Sequence, residues 1–198
     1  MGVLREDLRE DLIDRWFGTA WEEVGRARTS VHDGVVRACG EPGPAHALAM
    51  VAGELVENAI KYGDGGAVEP RGHLRVWCER SALALVVDSV ARDGDRGAEE
   101  VVHTLRWMRG HTSASEAYRA RLVAIAAAGG AVVESKLGLV RIAYEAGCAL
   151  TAERIGGVLR VQAVRSVLDP GQGERSRVER GDKRSPLRRV GQRAGART

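Results

Sequence analysis

Residues 52–66, AGELVENAIKYGDGG, decide how the rest of the chain is read. On a helix of about 3.6 residues per turn, Glu54, Asn58 and Lys61 fall at i, i+4 and i+7, one stripe roughly 60° wide. Leu48, Ala52, Leu55, Val56 and Ala59 form a second stripe, roughly opposite, that would face a core. A carboxylate, an amide and an ammonium therefore share one polar face, and Gly63-Asp64-Gly65-Gly66 ends the helix by supplying a left-handed cap. Two readings fit this spacing. One is the solvated side of an amphipathic helix, with Glu57 and Lys61 as an i, i+4 ion pair contributing about 0.3 kcal/mol; the other is a set of polar groups gathered for chemistry. Spacing alone favours the first; the stretch is nonetheless unusual in composition, because Asn58 is the only asparagine in the chain and Lys61 and Lys136 are the only lysines before Lys183.

Working outward, Leu4, Leu8, Leu12 and Trp16 repeat at i+4 and predict an amphipathic helix ending near Gly18. Thr19 and Glu22 form a capping-box pattern opening a second helix, which the run Gly40-Glu41-Pro42-Gly43-Pro44 stops. The motif helix follows over 45–62. Alternation predicts a half-buried strand over 73–79 and an apolar central strand over 82–90, joined as a hairpin by Arg80-Ser81. Beyond a loop at 91–97, helices are predicted over 99–109 and 114–128, the latter opened by a Ser113…Glu116 capping box, and a short helix over 138–146. Strands over 149–155 and 158–167, joined by Gly156-Gly157, close the body. Helices before and between antiparallel hairpins predict an α+β fold: a two-layer α/β sandwich whose mixed, mostly antiparallel sheet is covered by helices on one face.

The 198 residues are enough for one globular body, residues 1–168, and a tail, 169–198. The tail holds nine Lys or Arg against four Asp or Glu, a net +5 that leaves −2 for the body out of a total of +3. It has no aromatic residue and no isoleucine, so the expectation is a disordered segment, and its charge makes it the only part suited to nucleic-acid contact. No apolar run approaches 18 residues and the start, MGVLREDLRED, is too acidic for a signal peptide, so a cytoplasmic protein with no membrane segment is expected. Cys39, Cys78 and Cys148 are widely spaced and read as free thiols. The five histidines stand singly in sequence, and none has a paired spacing such as H-E-x-x-H.

The nine residues Glu54-Leu55-Val56-Glu57-Asn58-Ala59-Ile60-Lys61-Tyr62 resemble the N box of the GHKL ATPases, the superfamily of gyrase B, Hsp90, MutL and the histidine kinases, whose pattern is roughly E-x-x-x-N-A-x-K/R-H/Y. Ser135-Lys136-Leu137-Gly138-Leu139-Val140 resembles the G2 box, with Lys136 standing where the first glycine is expected. The G1 box, D-x-G-x-G after a strand, is matched only by Asp88, which lacks the glycine two residues later; Asp93-Gly94-Asp95-Arg96-Gly97 lies just downstream. With its small size and absent H box, the chain looks most like the stand-alone anti-sigma-factor serine kinases of the SpoIIAB and RsbW type. Its ending LGLVRIAYEAGCAL is closer still to the SiaB-like branch, which acts in partner-switching regulation.

The resemblance implies a Bergerat-type ATP-binding fold and a set of roles. Asn58 would coordinate Mg²⁺, and Glu54 would act as general base toward a serine or threonine hydroxyl of the partner. Lys61 or Lys136 would neutralise the transferred phosphoryl group, and Gly138 and Leu139 would bring backbone amides to the phosphates. Asp88 would bond the adenine amino group, although a carboxylate interrupting a core strand is equally satisfied by a neighbouring arginine. The implied cofactors are ATP and Mg²⁺, and the implied partner is a STAS-like antagonist or a sigma factor. A homodimer would use Trp16, Phe17 and Trp21 as its contact unless those residues are core. The alternative is a pseudo-ATPase that uses the same fold only to dock proteins.

Overall fold

The structure, a computed structural model, describes residues 9–62, 70–79, 81–92, 94–127 and 137–166. The expected tail over 169–198, the glycine stop at 63–66 and Lys136 lie outside them. The elements are β1 (Glu10–Phe17), α1 (Glu22–Cys39), α2 (Pro42–Tyr62), β2 (Gly72–Glu79), β3 (Ala82–Val90), α3 (Arg96–Met108), α4 (Ala114–Ala127), α5 (Leu137–Glu145), β4 (Ala149–Ile155) and β5 (Val158–Ser166). The five strands form one sheet in the order β1-β2-β3-β5-β4, with every neighbouring pair antiparallel.

Alternation along the strands decides what faces the helices. Leu74, Val76, Leu83, Leu85, Val87, Leu159, Val161 and Ala163 point to one side and join Val31, Val35, Leu48, Val51, Leu55 and Val56 of α1 and α2 in a single apolar core. The opposite face carries only a small cluster of Trp77, Ala84 and Val86. The α+β two-layer sandwich expected from the sequence is therefore the fold observed.

The helix predicted from Leu4 to Gly18 is corrected over residues 10–17; Leu4 and Leu8 lie outside the described residues. Residues 10–17 form an edge strand pairing β2 from Glu10↔Cys78 to Phe17↔Gly72, with an irregularity between Asp11 and Ile13. Apolar spacing of four fits a helix and, with Ile13, Arg15 and Phe17 taken as the inward set, also fits a strand; β2 supplies the hydrogen bonds that decide. Phe17 consequently enters the core at 3% exposure, while Trp16 lies outside at 62% and stacks on His73 with ring centres 4.2 Å apart.

Helix α1 opens later than the Thr19…Glu22 pattern suggests. Its cap residue is Trp21, with no side-chain capping bond, and Glu23 instead holds Arg15 of β1 at 2.5 Å and Arg26 at 2.7 Å. Helix α2 starts at Pro42, three residues before the predicted start, because proline's fixed φ suits a first helical turn. At the other end of the chain, Gly156 and Gly157 take φ of 55° and 81°, the paired positive values that a two-residue hairpin requires, and bring β4 back beside β5.

Candidate functional site

Helix α2 lies on the sheet with Leu48, Ala52, Leu55, Val56 and Ala59 buried, as its apolar stripe predicts, and the N-box residues follow from that seating. Glu54 is turned toward α5. Its Oε1 accepts a hydrogen bond from Arg141 Nη2, and its side chain is only 14% exposed. Gly138, one helical turn before Arg141, is packed so closely that a Cβ there would come within 2.7 Å of Glu54 Oε2. The close approach expected of Gly138 is thus made to the protein's own carboxylate.

Asn58, the next turn of α2, lines a 30 Å³ cavity between α2, the start of α3 and the sheet. Tyr62, Ser89, Asp95 and Gly97 share its wall. A water needs about 10–15 Å³ on this measure, so the space admits roughly two waters. Asp95 caps α3, its Oδ1 accepting from the backbone N–H of Gly97 at 2.8 Å and of Ala98 at 3.2 Å. Lys61 stands outside the cavity wall and pairs with Glu57 at 3.2 Å, the ion pair of the plainer sequence reading. Leu139 is a core residue at 4% exposure.

Asp88 does not join this group. Leu83, Leu85, Val87 and Ser89 of β3 face the helices, so Asp88 faces the other side of the sheet. There Arg160 grips it with Nε to Oδ1 at 2.7 Å and Nη2 to Oδ2 at 3.0 Å, and Arg75 Nη2 adds a third bond at 2.9 Å. Burial by itself would raise this carboxyl's pKa; the bonds and charges of Arg160 and Arg75 outweigh it and hold the group below its ordinary value. The arginine alternative weighed for Asp88 is the one the geometry presents, and Asp95 and Gly97 at the start of α3 stand by the cavity in its stead.

Three arginines that matter here were not singled out from the sequence. Arg141 follows Gly138 at i+3, so both share a face of α5 once that helix is placed against α2. Arg160 sits opposite Asp88 only through the β3–β5 register. Arg71 is 2% exposed and its Nε donates to Ala59 O at 3.0 Å, placing a guanidinium at the carbonyl end of α2, where the helix dipole favours positive charge.

These residues do not fit a magnesium nucleotide as they stand. The acid is bonded to Arg141, and the expected adenine partner faces the opposite side of the sheet. Among the described residues no group of three or more His, Cys, Asp or Glu is placed to hold a metal ion. None of their helices is long and apolar enough to cross a membrane.

No protein-family model matches the chain, and no curated protein matches it in sequence. Among solved structures, a chain of the crystal structure of the SiaB–SiaC complex from Pseudomonas aeruginosa is similar, with a TM-score of 0.58 and 13% identity over 79% of this chain and 90% of that chain. At that identity the likeness is one of fold: this chain has the α+β sandwich architecture found in that complex.

Proposed function

We propose that this protein is a regulator of the partner-switching kind that works by binding another protein and does not turn over nucleotide. The observation that carries this reading is the Glu54–Arg141 contact over Gly138, which engages the carboxylate that the resemblance implies as base. The likeness to a chain of a two-protein complex supports a protein partner, and the resemblance to the anti-sigma-factor kinases, with the SiaB-like stretch LGLVRIAYEAGCAL, points to a STAS-like antagonist as its class. A second reading, ATP- and Mg²⁺-dependent phosphorylation of a serine or threonine on that partner, is favoured by Asn58 standing on a cavity wall with Tyr62 and Gly97.

The two separate in one pair of experiments on the purified chain. Titration calorimetry with Mg-ATP and Mg-ADP is expected to give no saturable heat, while size-exclusion chromatography with a STAS-domain protein gives a complex without nucleotide that survives Glu54→Ala. Magnesium-dependent nucleotide binding abolished by Asn58→Ala, with phosphoryl transfer to the partner abolished by Glu54→Ala, would overturn the docking reading in favour of the kinase.

A further inference from the structure

Two histidines distant in sequence meet across the α1–α2 hairpin. The imidazoles of His32 and His46 have ring centres 4.7 Å apart and planes at 66°. His32 Nδ1 is 3.1 Å from Asp33 Oδ1, and His46 Nδ1 is 2.7 Å from the carbonyl oxygen of Pro42. A carboxylate and a carbonyl can only accept, so Nδ1 is the donor in each ring, and in the neutral imidazole the lone pair then lies on Nε2. That is the neutral tautomer that ligates a metal, with the other ring nitrogen held by an oxygen as ligating histidines usually are. His46 is exposed and the His32 side chain is 34% exposed, so the pair is open to solvent.

The spacing suits one bridging cation. A metal bonded to both Nε2 atoms at about 2.0–2.1 Å lies roughly 3.2 Å from each ring centre, and the 4.7 Å separation then gives an N–metal–N angle of roughly 95°, between square-planar and tetrahedral. Convergence of both lone pairs on one point requires turning the rings about their broad terminal torsion, which lengthens the Nδ1 hydrogen bonds and leaves both helices in place.

We propose that His32 and His46 form a two-imidazole site for a first-row transition-metal dication such as zinc, nickel or copper, with water completing the coordination. Imidazole nitrogen suits these ions, whereas magnesium and calcium take oxygen. Because no third carboxylate, thiol or imidazole joins the pair among the described residues, two ligands set the affinity. The ion staples α1 to α2 and binds the folded hairpin in preference to the unfolded chain, so it raises the melting temperature. The site is independent of the nucleotide question, since His46 is eight residues, about 12 Å of helix rise, from Glu54.

The test is calorimetry and thermal melting of the full chain with ZnCl₂ and NiCl₂, with MgCl₂ as control and EDTA for reversal. One ion per chain should bind and raise the melting temperature, with no response to magnesium. His32→Ala and His46→Ala should each weaken binding at least tenfold, Asp33→Asn several-fold, and His103→Ala not at all. Circular dichroism confirms that the variants fold, since each changes a residue on an open surface. Absence of zinc and nickel binding by the folded wild-type chain, or binding that survives either histidine substitution, or equal loss in His103→Ala, would overturn the proposal.

Discussion

Replacing Arg141 by alanine tests the central contact of the site. Glu54 is 14% exposed, so most of its hydration is already lost, whereas Arg141 at 39% keeps water on part of its guanidinium. The pair therefore stands between an exposed ion pair, worth about 0.2–1 kcal/mol, and a buried one, whose disruption costs roughly 3–5 kcal/mol. Allowing for solvent screening on the arginine side, Arg141→Ala should destabilise the fold by about 1–2 kcal/mol, chiefly by stranding the Glu54 carboxylate. Glu54→Ala should cost less, because the freed guanidinium can turn to water. The double variant should then be more stable than the sum of the singles by about 1–1.5 kcal/mol. Urea unfolding of the four proteins measures this; with a slope near 2 kcal/mol/M, Arg141→Ala moves the midpoint down by roughly 0.5–1 M. A coupling energy below about 0.3 kcal/mol, the size of ordinary additivity error, would refute the contact and with it the argument that Glu54 is engaged.

Gly72→Ala should destabilise the protein by about 1–3 kcal/mol, since an added Cβ meets the Asp88 carbonyl oxygen and the Phe17 ring; a melting temperature within about 1 °C of wild type would count against this packing. Asp88→Ala should cost about 1.5–3 kcal/mol at neutral pH by leaving Arg75 and Arg160 facing each other. Because the folded carboxyl titrates below its ordinary value, that contribution is complete above the unfolded value near pH 4 and fades as pH falls through the lower folded one; stability curves of wild type and variant should converge in acid. The Cys148 thiol, 5% exposed and pushed up to about 11 by burial, should resist labelling in the native protein at pH 8 while the half-buried Cys39 and Cys78 react first; equal rates at all three would contradict its placement.

How much was legible in the sequence differs from element to element. The β2–β3 and β4–β5 hairpins were, because period-two alternation and a Gly-Gly turn are local signals that no distant residue needs to confirm. The seating of α2 was legible for the same reason: its apolar stripe fixes which side meets the sheet, and so puts Glu54, Asn58 and Lys61 on the remaining side. The capping box before α4 is half realised. Ser113 Oγ accepts from the Glu116 N–H at 3.1 Å, but the Glu116 carboxylate returns to Thr112 at 2.8 Å, one residue upstream of the expected donor.

The sequence alone determined which helix carries the polar stripe and that residues 73–90 and 149–167 form antiparallel hairpins, since each rests on periodicities within a few turns of chain; it predicted a mixed, mostly antiparallel sheet, and the all-antiparallel order follows from the β1–β2 and β3–β5 pairings of distant segments. Only the tertiary structure decided whether residues 10–17 are helix or strand, because their spacing allows both and β2 supplies the missing hydrogen bonds. It also decided the partner of Glu54, which comes from a helix 87 residues away, and the side of the sheet that Asp88 faces, which a one-residue change of register would reverse. Contacts between distant segments depend on how the elements stack, and no pattern inside either segment encodes them.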